Sequence, residues 1–323
     1  MKFSYYLLMA VCYPVSLLPF WVHYLFSDML YFLIYHVGRY RVKVVRKNLA
    51  SAFPEKSEME LKAIERDFYQ WFCDYIVESM KLLTISKRNI KKRMVFKGTE
   101  LLDPFFDNGQ SIGVYLGHYC NWEWVTSLSL WISPKVQCAQ IYHPIENKGV
   151  DQLFLRLRQR LGAECIPMAD TLRKILELRQ SGQISIIGYI SDQKPNWFNI
   201  HHWVDFLHHD TPVLTGAERI MRKFNHVVFY LDVQRVRRGY YEATFKLISQ
   251  EPQQLEEFKL TDIYYQLLEE SIRRTPAYWL WSHNRWSRTR EEFDRRFEVV
   301  NGKVVSKLTE FTFIPTKAHF HTD

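Results

Sequence analysis

Hydrophobic and polar positions follow patterns that predict helices and strands in turn along most of the chain. Apolar residues recur at helical spacing from Leu61 to Met80 behind an S-x-x-E capping box at Ser57–Glu60, which predicts a long amphipathic helix. Short, nearly continuous apolar runs elsewhere are typical of buried strands. These runs are SIGVYLG (111–117), KVQCAQIY (135–142), ISIIGYI (184–190), HVVFYLDV (226–233) and YEATFKLI (241–248).

Further segments with helical patterns lie between and after these strands. They are NWEWVTSLSLWI (121–132), VDQLFLRLRQRLG (150–162), ADTLRKILELRQSG (169–182) and TDIYYQLLEESIRR (261–274). Alternating helices and strands predict an α/β fold with a mixed, largely parallel central sheet flanked by helices. The chain divides into an apolar N-terminal segment (1–40), one globular domain (41–290) and a C-terminal extension (291–323), in which FEVVNGKVVS (297–306) predicts a β-hairpin with an Asn-Gly turn.

The N-terminal segment is apolar over a length that could cross a bilayer. It extends from Phe3 to Phe26, is interrupted by Pro14 and Pro19, and lacks the basic start and the cleavage site of a secretory signal. Basic residues follow at 39–47, a position that favours a cytoplasmic, anionic lipid surface. We therefore predict an N-terminal hydrophobic membrane-anchoring helix. The sequence does not decide whether this helix spans the membrane or lies in its interface. The alternative to membrane attachment is a hairpin buried in the core.

Composition narrows the classes of partner. The 323 residues are 47% hydrophobic and carry a net charge of +8, which favours acidic partners such as anionic lipid or an acidic carrier protein. Basic residues are spread along the chain and no nucleic-acid-binding motif is found, so we expect no nucleic-acid partner. The mean hydropathy of −0.26 excludes a polytopic membrane protein. Five scattered cysteines without a C-x-x-C pair predict reduced thiols in a cytosol-like compartment.

One histidine stands where a catalytic base is expected. His118 directly follows the strand 111–117, Asn121 can cap the next helix, and Glu123 lies in that helix's first turn. Strand ends that lead into helices are where open α/β sheets keep their sites. A carboxylate on one imidazole nitrogen leaves the other nitrogen free for a substrate. The H-x-x-x-x-[DE] spacing alone is weak, because it also occurs at His23 to Asp28, which has no catalytic context.

Six sequence blocks add specificity. They are YRVKVVRKNLASAFPE (40–55), LGHYCNWEW (116–124), LRLRQRLGAECIP (155–167), SDQKP (191–195), FLHHDTPVLTGAE (206–218) and PAYWLWSHNRW (276–286). In this order they resemble the blocks of the lipid A biosynthesis lauroyl/myristoyl acyltransferase family, a branch of the H-x-x-x-x-[DE] lysophospholipid acyltransferase-like superfamily. Cys120 stands where that family usually has glycine. The resemblance makes 41–290 an acyltransferase domain and ends near Trp286.

The resemblance implies an O-acyltransferase with a defined division of roles. His118 would take the proton from a hydroxyl of a glycolipid acceptor, a lipid A precursor, and that oxygen would attack the thioester of acyl carrier protein. Glu123 would orient the imidazole, and neither a cofactor nor a metal is expected. The enzyme would work at the cell inner membrane, with its active site on the cytoplasmic face and anionic lipid around it.

Substrate-binding residues follow from the same resemblance. The candidates are Asn121, Trp122, Arg156, Arg158, Asp192 and Gln193. Arg158 is the preferred contact for a phosphate or the carrier, with Arg156 second. Asp192 and Gln193 end a strand and should face the pocket of His118, or else cap the sheet edge. For Trp122, packing is favoured over chemistry.

Three alternatives stay open. The stretch HHWVDFLHHD (201–210) holds enough ligands for zinc or non-haem iron, although its spacing fits no standard motif and a polar loop is the simpler interpretation. An acyltransferase of the same fold could act on a lysophospholipid, an amino-acid lipid or another glycolipid, with acyl-CoA as donor. A non-catalytic, basic membrane scaffold would not need the histidine and carboxylates at the strand ends.

Overall fold

Helices and strands alternate along residues 2–307, the part of the chain that the computed structural model describes. The helices are α1 Lys2–Leu17, α2 Phe20–Tyr31, α3 Val42–Ala52, α4 Glu58–Lys81, α5 Lys87–Arg93, α6 Asp103–Asp107, α7 Lys148–Gln159, α8 Thr171–Gln180, α9 Gly216–Phe224, α10 Lys259–Arg274 and α11 Arg290–Arg296. The strands are β1 Met94–Lys97, β2 Ile112–Leu116, β3 Gln137–Tyr142, β4 Glu164–Pro167, β5 Ser185–Ile190, β6 His202–Phe206, β7 His209–Val213, β8 Val227–Arg237, β9 Tyr240–Ser249, β10 Phe297–Val300 and β11 Lys303–Ser306.

The central sheet has seven strands in the order β1-β9-β8-β2-β5-β3-β4. β8 and β9 pair antiparallel, whereas the other neighbours pair in parallel. Every residue of β2 is buried, because helical segments cover both faces of a parallel sheet. The predicted mixed, largely parallel sheet flanked by helices is therefore confirmed. The capping box is present as well, with Ser57 and Glu60 satisfying each other's backbone N–H groups at the start of α4.

Two glycines of the central region let α9 and α10 approach one face of the sheet. A Cβ atom on Gly113 would lie 2.2 Å from Sδ of Met221, and one on Gly117 would lie 2.6 Å from Cδ1 of Leu268. On the same face Tyr115 stacks on Tyr264 with ring centroids 4.5 Å apart. Side chains alternate between the two faces of a strand, so Val114 and Leu116 point to the opposite face.

Two segments differ from their predicted structure. Residues 121–132 form a 3₁₀-helix, Trp124–Leu130, in place of an α-helix. Residues 201–210 form the antiparallel hairpin β6–β7 in place of a loop, and its turn residues Leu207 and His208 have φ of 52° and 64°. Neither turn residue is a glycine or asparagine, so the usual hairpin signal is missing from the sequence. The hairpin β10–β11 does carry that signal, at Asn301–Gly302, and forms where it was predicted.

The apolar N-terminus is divided into several helical pieces. α1 ends at Leu17, Pro19 precedes α2, and α2 continues into the π-helix Phe32–Val37. No helix within residues 2–307 combines the length and the hydrophobicity needed to span a bilayer, and the expected transmembrane helix has no support. Much of this segment nevertheless exposes large apolar side chains: Tyr6, Leu7, Val11, Tyr13, Leu17, Trp21, Leu25, Phe26, Met29, Phe32, Leu33 and Val37.

Polar contacts hold the inner side of α2 on the domain. Ser27 donates to Asp74 of α4 over 2.6 Å, and Asp28 accepts from Arg238 over 2.6 Å. His23 is buried, and within the described residues it forms no hydrogen bond with Asp28, which pairs with Arg238. The predicted C-terminal extension is described only as far as residue 307, and 308–323 lie outside the described residues.

Candidate functional site

The carboxyl ends of β2 and β5 bring His118 and Asp192 together. The parallel register places Leu116 opposite Ile190, and the same offset of 74 residues places His118 opposite Asp192 two residues later. Nδ1 of His118 lies 2.6 Å from Oδ1 of Asp192, and the backbone N–H of His118 donates to Oδ2 over 2.8 Å. The two residues form a His–Asp pair at the carboxyl ends of the parallel strands, where open α/β enzymes keep their sites.

Asp192 is buried and remains ionised. Burial alone would raise the pKa of this carboxyl group, but the charge of His118 and hydrogen bonds from His118 and Trp279 outweigh it and lower the pKa to about 2. An ionised carboxylate only accepts hydrogen bonds, so Nδ1 of His118 carries the proton. When the imidazole is neutral, Nε2 presents the lone pair, and the side chain, 19% exposed, leaves this nitrogen accessible. Nε2 lies 3.5 Å from Nε2 of Gln193.

Glu123 binds Arg158 and not His118, its predicted partner. Its carboxylate receives both Nε and Nη2 of Arg158, over 2.7 and 2.6 Å, and the hydroxyl of Tyr75 over 3.4 Å. The prediction that Glu123 contacts the imidazole of His118 is corrected accordingly, because Asp192 occupies Nδ1. Glu123 precedes the 3₁₀-helix Trp124–Leu130, and from this turn its side chain meets α7.

Arg158 is less available than the sequence implied. Burial alone would lower the pKa of its guanidinium, but the Glu123 carboxylate raises the pKa above its ordinary value. The side chain is 17% exposed, whereas Arg156 on the same helix is exposed. Contacts of either arginine with a phosphate or with a carrier protein stay a prediction.

Asn121 and Trp122 support the turn between His118 and the 3₁₀-helix. The fully buried Asn121 accepts from the backbone N–H of Trp124, the first residue of the 3₁₀-helix, over 3.1 Å, and donates to Glu78 over 2.8 Å. The ring of Trp122 lies 4.1 Å from that of Tyr75 and meets the His118 ring edge-on at 5.1 Å. Both side chains therefore have structural contacts in place, and their roles in substrate binding stay predictions.

Cys120 adopts a backbone conformation that suits glycine, the residue that the family resemblance implies at this position. Its φ is 54°, in the left-handed region that favours glycine. Its backbone N–H donates to the carbonyl oxygen of Tyr278 over 2.8 Å, which ties the turn to the segment 276–286. Burial raises the pKa of its thiol, so a nucleophilic thiolate has no support here.

Glu78, a buried acid next to the site, was not predicted as a site residue, because nothing in the sequence distinguishes it from the other polar residues of α4. Glu78 lies within the amphipathic pattern of α4, is fully buried, and accepts hydrogen bonds from Tyr24, Asn121 and Tyr241 over 2.8 to 3.1 Å. Burial first, and the nearby Asp74 second, raise the pKa of Glu78 to about 7. Trp279, the donor to Asp192, was also missed as a site residue, although it lies in the last of the six sequence blocks.

Glu78 should make the stability of the fold depend on pH near neutrality. Its pKa is raised on folding from about 4.3, so the native state holds a proton that the unfolded chain has lost, and stability falls as pH rises from about 4.3 through 7. Relative to Glu78→Gln, the wild type should lose on the order of 3 kcal/mol across this window. Denaturant unfolding at several pH values measures the difference. The exposed control Glu100→Gln should follow the wild type, and parallel curves for wild type and Glu78→Gln would refute the raised pKa.

The histidine and aspartate side chains at 201–210 contact different neighbours and do not converge on one point. His202 bonds Asp262 over 2.7 Å, the His209 ring stacks on Trp286 at 4.1 Å, and Asp210 pairs with Arg290. Among the described residues, no group of three histidine, cysteine, aspartate or glutamate side chains is placed to hold a metal ion.

Comparison with known sequences agrees with the predicted family. The sequence profile of the bacterial lipid A biosynthesis acyltransferase family matches residues 1–288. A curated protein, lipid A biosynthesis acyltransferase 2 of Shigella flexneri, is 24% identical over 160 residues, which are 49% of this chain and 50% of that relative. The chain thus matches about half the length of this relative, whereas the family profile covers most of the chain, including the His–Asp pair. The chain belongs to the bacterial lipid A biosynthesis acyltransferase family.

Proposed function

We propose that the protein transfers a fatty acyl chain from the thioester of acyl carrier protein to a hydroxyl group of a lipid A precursor. The His118–Asp192 pair carries this proposal, because a buried, ionised carboxylate holds Nδ1 and leaves Nε2 free as a base. Family membership supports lipid A biosynthesis as the setting. The net charge of +8 suits both an acidic carrier and the phosphates of a lipid A precursor.

In the proposed reaction, Nε2 of His118 takes the proton from the acceptor hydroxyl as its oxygen attacks the thioester carbonyl. Asp192 holds the imidazole in the reactive tautomer and stabilises the imidazolium that forms. Collapse of the tetrahedral intermediate breaks the carbon–sulfur bond, and the imidazolium returns the proton to the leaving thiolate. An ester forms, a thiol is released, and no covalent acyl-enzyme is needed.

A transfer assay decides between this function and its alternatives. The purified protein is given acyl carrier protein thioesters or acyl-CoA, with a lipid A precursor, a lysophospholipid or an amino-acid lipid as acceptor. We expect an ester on the lipid A precursor, with the carrier thioester as the better donor. Mass spectrometry of envelope lipids with and without the gene names the acceptor in the cell. Transfer only to another lipid, or only from acyl-CoA, would show that the proposed acceptor or donor is wrong. Absence of transfer with every pair of substrates would refute the proposed acyltransferase activity.

We propose that the N-terminal helices place this site on the cytoplasmic face of the inner membrane. Exposed apolar residues recur at intervals of four along α1 and α2, including Leu7 and Val11, and Trp21 and Leu25. An exposed surface with so many large apolar side chains marks an interaction site, and we assign it to the membrane. The acceptor is held in the bilayer by its acyl chains, whereas the carrier is soluble, so the reaction needs an enzyme at the boundary.

Polar substitutions on this surface should release the protein from membranes. The variant Val11→Ser/Trp21→Ser/Leu25→Ser should bind vesicles of anionic phospholipid at least about tenfold more weakly, because each apolar side chain contributes on the order of 1 kcal/mol. Point variants are preferable to deletion, since Ser27 of α2 bonds the domain. Val236→Ser, at an equally exposed site outside the N-terminal helices, should bind like the wild type. Equal vesicle binding by the triple variant would disprove the proposed contact.

A further inference from the structure

A narrow cavity lies beside Trp122, whose ring contacts His118 of the His–Asp pair. It is bounded by β2, β3 and β5 on one side and by the 3₁₀-helix Trp124–Leu130 on the other, and its lining is mostly apolar. It opens from the face of the sheet opposite α10, since Val114 and Leu116 line it and Tyr115 packs on Tyr264. Trp122 lines the cavity and meets His118 at 5.1 Å, so the cavity and the proposed base are adjacent.

The strand register gives the cavity a direction and a depth. Leu116 and Ile190 line it at the strand ends, two residues before His118 and Asp192. Ile186, four residues earlier on β5, lines the other end. Four residues of a parallel strand rise about 13 Å. The cavity is therefore an apolar sleeve that begins at Leu116 and Ile190, two residues before the His–Asp pair, and runs back along the strands.

Gly188 lies halfway along this sleeve, and packing does not require a glycine there. A Cβ atom at Gly188 would meet its nearest neighbour, Cδ2 of Leu116, at 3.6 Å, which is ordinary van der Waals contact. Gly113 on β2 differs, because a Cβ there would lie 2.2 Å from Met221. A glycine within a strand costs about 0.5–1 kcal/mol relative to alanine and often marks the close approach of a ligand.

We propose that this sleeve receives the acyl chain of the donor thioester, and that Gly188 determines the length of chain that the sleeve admits. The inference rests on the proposed acyl transfer. With the thioester carbonyl at Nε2 of His118, the acyl chain extends past Trp122 into the sleeve. It passes over Gly188, where a side chain would stand in its path, toward Ile186.

Substitutions at Gly188 test the inference through donor chain length. For Gly188→Ala, Gly188→Val and Gly188→Leu, kcat/KM is measured with carrier thioesters from octanoyl to hexadecanoyl on one fixed acceptor. The preferred donor should become shorter as residue 188 grows, and the longest donors should lose at least about tenfold. Octanoyl transfer should change by less than about threefold. Ile186→Val should shift the preference toward longer donors. Gly216→Ala, where an added Cβ meets no atom, is the matched control.

The outcomes separate this inference from the proposed function. An equal loss for all donors in a folded Gly188→Val protein, or a dependence on the acceptor's acyl chains in place of the donor's, would overturn the donor sleeve. Absence of transfer by the wild type from every donor would refute the proposed function. Binding of octanoic to hexadecanoic acid, followed through tryptophan fluorescence, tests the sleeve without transfer. Gly188→Leu should weaken binding of the longer acids selectively, and a uniform affinity in both proteins would again overturn it.

Discussion

Asp192→Asn should lower the rate of acyl transfer by about 10²–10⁴-fold in a protein that remains folded. The backbone of His118 and the indole of Trp279 both donate to Oδ2 of Asp192, so the amide oxygen of asparagine would be drawn to that position. Its NH₂ group would then face Nδ1 of His118 and favour the tautomer with the proton on Nε2. That tautomer has no lone pair on Nε2 with which to take the proton from an acceptor.

His118→Ala should cause a similar loss, and the double variant should be little worse than either single one. Residues that act as a unit give non-additive effects. Transfer from acyl carrier protein thioester is followed by mass spectrometry, with circular dichroism as the check on folding. His143→Ala, which changes an exposed histidine outside the site, should transfer like the wild type. Asp192→Asn protein working within about threefold of the wild-type rate would remove Asp192 from the mechanism.

Two of the features that were predicted correctly are determined by local sequence. The long helix α4 begins at the capping box Ser57–Glu60, whose two partners lie three residues apart. The hairpin β10–β11 turns at Asn301–Gly302, residues that tolerate the positive φ of such a turn. In both, the signal and the structure occupy the same few residues.

Asp192 was expected to face the pocket of His118, but its contact with the imidazole was not predicted, because strand pairing determines that contact. Asp192 lies 74 residues away, and only the parallel register of β2 with β5 brings it to the imidazole. Glu123, at a spacing of five, was the nearest acid in the sequence, but tertiary packing directs it to Arg158 on α7. A strand order predicted from sequence, with Leu116 opposite Ile190, would have identified the pair.

Arg158→Ala should lower the free energy of unfolding by about 3 kcal/mol. The change leaves the Glu123 carboxylate, 2% exposed, without its bidentate partner, and breaking a buried ion pair by removing one partner typically costs 3–5 kcal/mol. The partial exposure of Arg158 places the expectation at the lower end. Arg156→Ala, on the exposed face of the same helix, should change stability by less than about 0.5 kcal/mol.

The same variants distinguish a structural arginine from one that binds substrate. If Arg158 holds Glu123 and the turn after His118, then Glu123→Leu/Arg158→Leu should recover much of the lost stability, because no unpaired charge is left buried. If Arg158 instead contacts a phosphate or the carrier, Arg158→Ala should raise KM with unchanged stability, and the rise should shrink at high salt. Chemical unfolding and steady-state kinetics on one preparation measure both. Raised KM without a loss of stability would assign Arg158 to the substrate and leave the ion pair without a structural role.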